Sequence, residues 1–264
     1  MSSIIKIDSE KCVGCGICCT DCPQRVLKLH NGKAQVTADK CLECGHCVAI
    51  CPEDAFTMNG YEMKDVKTYD KNTFGIDADT LLNTIKFRRS VRHYKDKQVE
   101  KEVIQKIIDA GRFTPTGSNK QRIRYVVARD SLSMFENEAL KAFSKLKRLA
   151  EIVGKFIKLP YNMSSFKLEP GFFFHGAPAA IFIISDDAVD ASLASMSMEL
   201  MAEAMGLGTL YVGFFARAAK QSKRIRKELG LTKNEKVVTC LAMGYPDVKY
   251  MRTVPRKKAK IEWR

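Results

Sequence analysis

No run of about 18 apolar residues occurs in the chain, so no segment is expected to cross a bilayer. The start, Met1-Ser2-Ser3-Ile4-Ile5-Lys6, lacks a charged head followed by a long apolar stretch and does not read as a secretory signal. A cytoplasmic protein is therefore expected. No Gly-x-Gly-x-x-Gly follows a strand pattern, which argues against a separate dinucleotide-binding domain. No helix-turn-helix or aromatic-basic motif is present, so nucleic-acid binding has charge alone behind it. Cysteine is absent after residue 51 except at Cys240.

What is present is concentrated. Nine of the ten cysteines lie between residues 12 and 51. Cytosolic thiols stay reduced, so this crowding points to metal rather than disulfides. The formal net charge of +14 is uneven: residues 1–58 carry six Lys/Arg against seven acids, and the rest holds the whole basic excess. Such an excess suits nucleic acid, a membrane surface, or an acidic protein or cofactor, and equally a merely solvated surface.

The cysteines form an internal repeat. Cys12, Cys15, Cys18 and Cys22 recur 29 residues later as Cys41, Cys44, Cys47 and Cys51, Gly16 recurs as Gly45, and Pro23 as Pro52. Two-residue gaps let a tight loop aim three thiolates at one face of a cluster, and the glycines permit close backbone approach. Zinc, the alternative metal, usually takes separated Cys-x-x-Cys pairs. The 2-2-3 spacing ending in proline resembles the bacterial ferredoxin run, in which the fourth cysteine ligates the other of two [4Fe–4S] clusters. That resemblance implies one cluster on Cys12, Cys15, Cys18 and Cys51 and another on Cys41, Cys44, Cys47 and Cys22. A unit of about 58 residues builds only a marginal core, so inorganic staples are expected there. Cys19 reads as a small buried side chain or an alternative ligand, and Cys240 as core. His46 either tunes the second cluster or is an ordinary loop histidine.

Residues 59–76 are polar and read as a linker. Beyond them helix and strand patterns alternate. Helices are expected over 79–86, 99–112, 131–158, 191–205 and 218–229, and strands over 125–128, 179–184, 210–215 and 237–243. The layout is α+β, helices around a central sheet. Domains are expected at 1–58 and 77–264.

Arg88-Arg89-Ser90-Val91-Arg92 follows the first of these helices, and three guanidiniums with a hydroxyl make a strong anion receptor. Pro115-Thr116-Gly117-Ser118-Asn119-Lys120-Gln121 is a turn loaded with amides and hydroxyls. Gly244-Tyr245-Pro246 and a second basic site, Pro255-Arg256-Lys257, come late. In this order the segments resemble the nitroreductase family of FMN enzymes over about residues 79–264, and the whole chain resembles ferredoxin-fused nitroreductases. The resemblance implies a mostly antiparallel sheet, FMN phosphate and ribityl contacts from Arg88, Arg89, Ser90 and Arg92, and flavin contacts from Thr116, Ser118, Asn119 and Gln121. It implies backbone contacts to the flavin ring from Tyr211, Val212 and Gly213, and a phosphate contact from Arg256. Two departures stand out: Arg122-Ile123 follows the glutamine where members often have Pro-Trp, and Gly213 falls where some have an acid.

The implied function is transfer of electrons from a low-potential donor, an acidic ferredoxin or flavodoxin, through two [4Fe–4S] clusters to FMN and on to a small organic acceptor such as a nitroaromatic or quinone. The implied assembly is a homodimer with FMN at the interface. An electron-transfer flavoprotein without a small substrate, an NAD(P)H-dependent nitroreductase and a reductive dehalogenase stay open as alternatives. No protein nucleophile is expected, because the cofactors carry the redox chemistry. Residues 159–176 are expected to form a substrate lid, with Tyr161, Phe166, Phe172, Phe173 and Phe174 lining a pocket or packing in the core, and His175 either near substrate or in a structural turn.

Overall fold

Glycine sets the geometry of the duplicated cysteine loops. In the computed structural model, which describes residues 4–153 and 167–264, Gly16 and Gly45 precede two short helices with φ of 75° and 73°, a left-handed conformation that costs glycine nothing. These helices, α1 (Ile17–Asp21) and α2 (His46–Ile50), pack together and each runs into a cysteine followed by proline. Around them, β1 (Ile5–Ile7) pairs antiparallel with β4 (Phe56–Met58), and β2 (Leu27–His30) pairs with β3 (Lys33–Val36) through an Asn31-Gly32 turn. The buried core is small: Ile5, Val26, Leu27, Ala34, Ala55 and Phe56 with Cys12, Cys18 and Cys47. The expected linker contains two helical turns, Met63–Asp65 and α3 (Lys71–Phe74), the latter capped by Asp70 accepting from the Asn72 N–H at 3.0 Å. The first compact unit runs to Gly75 and takes in Thr116–Lys120.

The second unit holds Ile76–Pro115 and the chain from Gln121 onward. Its helices are α4 (Ala78–Phe87), α5 (Lys101–Arg112), α6 (Leu132–Val153), α7 (Ala188–Ala204), α8 (Gly213–Gln221) and α9 (Lys223–Glu228). Its strands are β5 (Arg124–Ala128), β6 (Ala179–Ser185), β7 (Gly208–Tyr211) and β8 (Lys236–Gly244), in the order β5-β6-β8-β7 with every pairing antiparallel. All seven residues of β6 are buried. Their period of two divides the core into two layers. Ile181 and Ile183 meet Ile104 and Ile107 of α5 and Met198 of α7 on one face. Phe182 and Ile184 meet Phe135 and Phe143 of α6, Phe215 of α8 and Ile225 of α9 on the other. Each such side chain contributes about 1.5–3 kcal/mol on burial. Among the described residues no helix is long and apolar enough to cross a membrane.

Two expected elements differ. The strand over 210–215 ends at Tyr211, and α8 begins at Gly213. Phe215, Ala218 and Ala219 are buried together at helical spacing, and the Phe215 ring stacks on Phe182 at 4.8 Å, so tertiary packing overrides the β preference of Phe214-Phe215. The single helix over 218–229 is two, broken at Ser222, whose hydroxyl accepts the Ile225 N–H at 3.2 Å and caps α9.

Of the expected lid aromatics, Tyr161 and Phe166 lie outside the described residues, as does Lys155 in the expected helix over 131–158. Phe173 and Phe174 are buried in the aromatic layer, with Phe172 half-buried beside them. The buried Glu136 carboxylate fixes this turn, accepting the N–H groups of Phe173 and Phe174 at 3.1 Å each. Burial pushes its carboxyl above the ordinary range, against the pull of those bonds. Glu136→Ala leaves both N–H groups without an acceptor, each worth about 1–3 kcal/mol, and is expected to lower unfolding stability by about 2–4 kcal/mol in denaturant titration. Glu136→Gln, which keeps one acceptor oxygen, is expected to fall between.

Candidate cluster and flavin sites

The first unit contains two recesses, each edged by four cysteines. One, of about 320 Å³ including its open mouth, is lined by Cys12, Cys15, Cys18 and Cys51 with Ile17, Leu29, Ala34 and Phe56. The other, of about 360 Å³, is lined by Cys22, Cys41, Cys44 and Cys47 with Ile5, Leu27, His46 and Met58. In each, three cysteines come from one repeat and the fourth from the other. Backbone N–H groups reach the sulfurs: Ala34 to Cys12 Sγ at 3.4 Å, Glu43 to Cys41 at 3.3 Å and Ala55 to Cys51 at 3.4 Å. The Ala34 bond, then one from Gly14, holds the Cys12 thiol below its ordinary range. Burial pushes the Cys47 thiol up to about 11. Among the described residues no three His, Cys, Asp or Glu converge on one ion. Four thiolates around each recess, three from one loop and one from the other, are the donor set that a [4Fe–4S] cluster takes. The apolar lining supplies the dry shell that tunes such a cluster.

Cys19 lines neither recess. Cys240 is fully buried in the sheet of the second unit. His46 lines the second recess, and its Nδ1 lies 3.2 Å from the Asp21 carboxylate.

In the second unit the arginine motif lies along the sheet. Ser90 bridges Thr209 of β7 in parallel, and the Val91 N–H donates to the Thr209 carbonyl at 2.8 Å. Gly208 allows this approach, since a Cβ there would meet Val91 at 2.5 Å. Farther on, the Lys95 N–H donates to the Tyr245 carbonyl at 2.8 Å and the Asp247 N–H to the His93 carbonyl at 2.9 Å. Residues 88–95 are thus a strap from β7 to the Gly244-Tyr245-Pro246 turn; its start brings Arg88 to Tyr211 and Ser90 to Thr209, and Arg92 acts on Tyr94 and His175 farther along.

The electrostatics of this neighbourhood include a residue the sequence reading missed. Arg88 Nη1 donates to Glu199 Oε1 at 3.0 Å, and the Glu199 side chain is 2% exposed. Burial pushes the Glu199 carboxyl up, while the Arg88 charge and the nearby Tyr211 and Thr209 hydroxyls draw it back; among the described residues Glu199 Oε2 has no hydrogen-bond partner. Glu199 lies four residues after Ser195 and three before Ala202, both buried, and that helical spacing was the available signal. His175, at φ 52°, is held below its ordinary range by burial and by the charges of Arg92 and His93, so it lies close to the strap.

Arg88 Nε and Arg89 Nε are buried and, among the described residues, have no hydrogen-bond acceptor. Buried donors of this kind are normally satisfied, and two guanidinium N–H groups awaiting acceptors fit an anion such as a phosphate.

Other expected flavin residues lie elsewhere in the chain. Thr116, Ser118 and Asn119 belong to the segment grouped with the first unit, where Asn119 Nδ2 donates to the carbonyls of Leu42 at 3.1 Å and Glu43 at 2.9 Å. Ser118, Asn119 and Gln121 all have φ near 50°, a strained state for non-glycine residues. Arg122, the charge in place of an aromatic, pairs with Asp186 at 2.8 Å. Val212 is buried behind Tyr211, and Gly213 is the exposed first residue of α8. Arg256 is exposed in the C-terminal segment, where its Nη1 reaches the Pro255 carbonyl at 3.4 Å.

Comparison with known proteins decides the family. Residues 85–245, more than half of the chain, match the model of the nitroreductase family. The chain belongs to that family. Residues 4–52 match the model of the 4Fe-4S dicluster domain. A relative from Archaeoglobus fulgidus is 28% identical over 175 residues, spanning 62% of this chain and 84% of its own; its name, given provisionally, is NADH dehydrogenase/NAD(P)H nitroreductase. Ferredoxin-2 of Desulfomicrobium norvegicum is 50% identical over 34 residues, 13% of this chain and 58% of its own. The solved structure of a Desulfitobacterium hafniense nitroreductase with bound FMN has the same fold, at a TM-score of 0.55 and 21% identity, covering 69% of this chain and 98% of the other. This nitroreductase-family chain is a flavin oxidoreductase with an added iron–sulfur domain.

Anaerobically prepared protein is expected to hold about eight irons and eight sulfides per chain. Cys15→Ser or Cys44→Ser is expected to remove most of one cluster's iron and its electron paramagnetic resonance signal, while Cys240→Ser leaves both clusters. Zinc in place of iron after anaerobic reconstitution would contradict the cluster assignment.

Proposed function

We propose that the chain binds two [4Fe–4S] clusters and one FMN, and uses them to reduce a small organic acceptor with electrons from a low-potential protein donor, ferredoxin or flavodoxin. The observation that carries this reading is the pair of four-cysteine recesses, each drawing its fourth cysteine from the other repeat, in one chain with buried arginine donors that lack an acceptor. When bound, clusters pass single electrons and flavin pairs them for an acceptor that takes two.

The chain's own residues bind and position. Cys12, Cys15, Cys18 and Cys51 hold one cluster, and Cys41, Cys44, Cys47 and Cys22 hold the other. Arg88, Arg89, Ser90 and Arg92 hold the FMN phosphate and ribityl chain. Tyr211, Val212 and Gly213 face the flavin ring with their backbone in this reading, supported by the bridge between Ser90 and Thr209 on β7. Thr116, Ser118, Asn119 and Gln121 contact the flavin, some of them from the partner subunit of a homodimer, and Arg256 binds its phosphate. Exposed apolar residues support that assembly: Leu81, Leu82, Ile85 and Phe87 on α4, and Ile261 and Trp263 in the C-terminal segment, Trp263 being 90% exposed. NAD(P)H as donor is the second reading, favoured by the name of the Archaeoglobus fulgidus relative.

The donor is assigned by charge. Lys141, Lys145, Lys147 and Arg148 on α6 join Arg217, Lys220, Lys223, Arg224, Arg226 and Lys227 on the packed α8 and α9 region. Glu138 offsets only part of this, pairing with Lys141 at 2.9 Å and Arg224 at 3.4 Å. An acidic ferredoxin steered to this surface is expected to reduce the protein more slowly as salt rises, because screening shortens the reach of its charge. A rate flat with ionic strength removes steering, and one that rises with salt points to residues 1–58 as the donor's target, where seven acids against six Lys/Arg are joined by the negative charge the bound clusters would add.

The flavin is expected to be noncovalent FMN, released on denaturation. Arg89→Ala is expected to weaken its binding by about 1.5–3 kcal/mol, the worth of a hydrogen bond to a charged group. Unchanged flavin occupancy in Arg88→Ala/Arg89→Ala would remove the phosphate assignment. Steady reduction of a nitroaromatic or quinone by purified protein with reduced ferredoxin tests the enzymatic reading, and its absence favours a protein acceptor.

A further inference from the structure

We infer that Glu199 is the positioning residue of the flavin-phosphate receptor, holding the Arg88 guanidinium ready for the anion; the inference rests on the assignment of Arg88 to the FMN phosphate. Glu199 belongs to the buried face of α7, with Ala191, Ser195 and Ala202, and not to the strap that carries the arginines. A carboxylate almost fully removed from water is expensive unless a cation meets it. Arg88 does so at 3.0 Å, across 111 residues of sequence.

The geometry divides the guanidinium between two tasks. Nη1 is taken by Glu199, while Nε is buried and has no acceptor. Arg88 carries high rotamer entropy when free, so a fixed partner on one edge presents the rest of the fork to an incoming anion already ordered. Among the described residues no carboxylate pairs with Arg89; its Nη2 donates to the Lys86 carbonyl at 3.3 Å, and its Nε is likewise without an acceptor. Glu203, one turn farther along α7, is pushed up by burial and by the Glu199 charge, which leaves Glu199 as the acid that pairs with Arg88. Thr209 and Tyr211 flank the pair from β7, the strand that the strap bridges.

A positioning role through Arg88 makes a prediction that a merely structural ion pair does not. Loss of Glu199 must harm binding of FMN, which carries the phosphate, and spare riboflavin, which lacks it. The full-length chain is stripped of flavin anaerobically and titrated with FMN and with riboflavin, for the natural sequence and for Glu199→Gln, Glu199→Ala, Arg88→Ala and Arg88→Ala/Glu199→Gln. The expected result is about tenfold weaker FMN binding in Glu199→Gln, a larger loss in Glu199→Ala, and riboflavin binding within about twofold of the natural chain. In the double variant, FMN binding is expected to match Arg88→Ala alone, since the carboxylate acts through that arginine.

Equal losses of FMN and riboflavin in Glu199→Gln overturn the inference, because the carboxylate then supports the fold rather than the receptor. Tighter FMN binding in that variant also overturns it, showing that Glu199 competes with the phosphate for Arg88. If Arg88→Ala keeps the natural preference for FMN over riboflavin, the phosphate assignment itself falls. If Arg88→Ala loses that preference and Glu199→Gln retains it, only the role of Glu199 falls. Should Glu199→Ala fail to fold, Glu199→Gln, which keeps shape and an acceptor oxygen, carries the comparison.

Discussion

The second unit is organised around the contact between a strap of chain and the edge of its sheet. Val91 presses on Gly208 where no Cβ could stand, and the Val91 N–H bonds Thr209. That close approach ties Ser90 and Val91 to Thr209, two residues from Tyr211 on β7. It also puts Arg88 within reach of an acid on α7. The strap rests on β7, which pairs with β8, and β8 in turn pairs with the fully buried β6 that carries both helical layers. A receptor for a doubly charged phosphate needs such a base, because buried guanidiniums are tolerated only where their geometry is held.

The first unit solves the opposite problem. Its apolar core is small, and several of its buried residues are cysteines. Stability there is expected to come from metal–thiolate bonds, which couple folding to cluster binding. The duplicated loop makes this economical: left-handed Gly16 and Gly45 shape both recesses, and crossing the fourth cysteine ties the two halves together. The chain thus joins a unit suited to single electrons to a fold suited to a flavin.

Much of this was legible in the sequence, and the reasons differ by region. The cysteine sets could be read because cluster chemistry demands fixed spacing, which leaves a literal repeat. β6 and α5 could be read because burial on two faces or one imposes a plain pattern. The helix beginning at Gly213 could not, because Val212, Phe214 and Phe215 favour strands locally and only the aromatic layer around Phe182 makes Phe215 helical. Glu199 was hidden for a related reason: one acid in a Met-rich helix looks like its solvent edge until the arginine 111 positions away is placed against it. The grouping of Thr116–Lys120 with the cluster-bearing unit is likewise a fact of three dimensions that no local pattern announces.

The central claim is that electrons enter one at a time through the clusters and leave through the flavin. Its most direct test is anaerobic stopped-flow reduction followed at the flavin band, with reduced ferredoxin and NADH in parallel, on the natural chain and on Cys44→Ser. The account predicts fast flavin bleaching with ferredoxin in the natural chain and a marked slowing in Cys44→Ser. Faster bleaching by NADH than by ferredoxin, unaffected by Cys44→Ser, would contradict it.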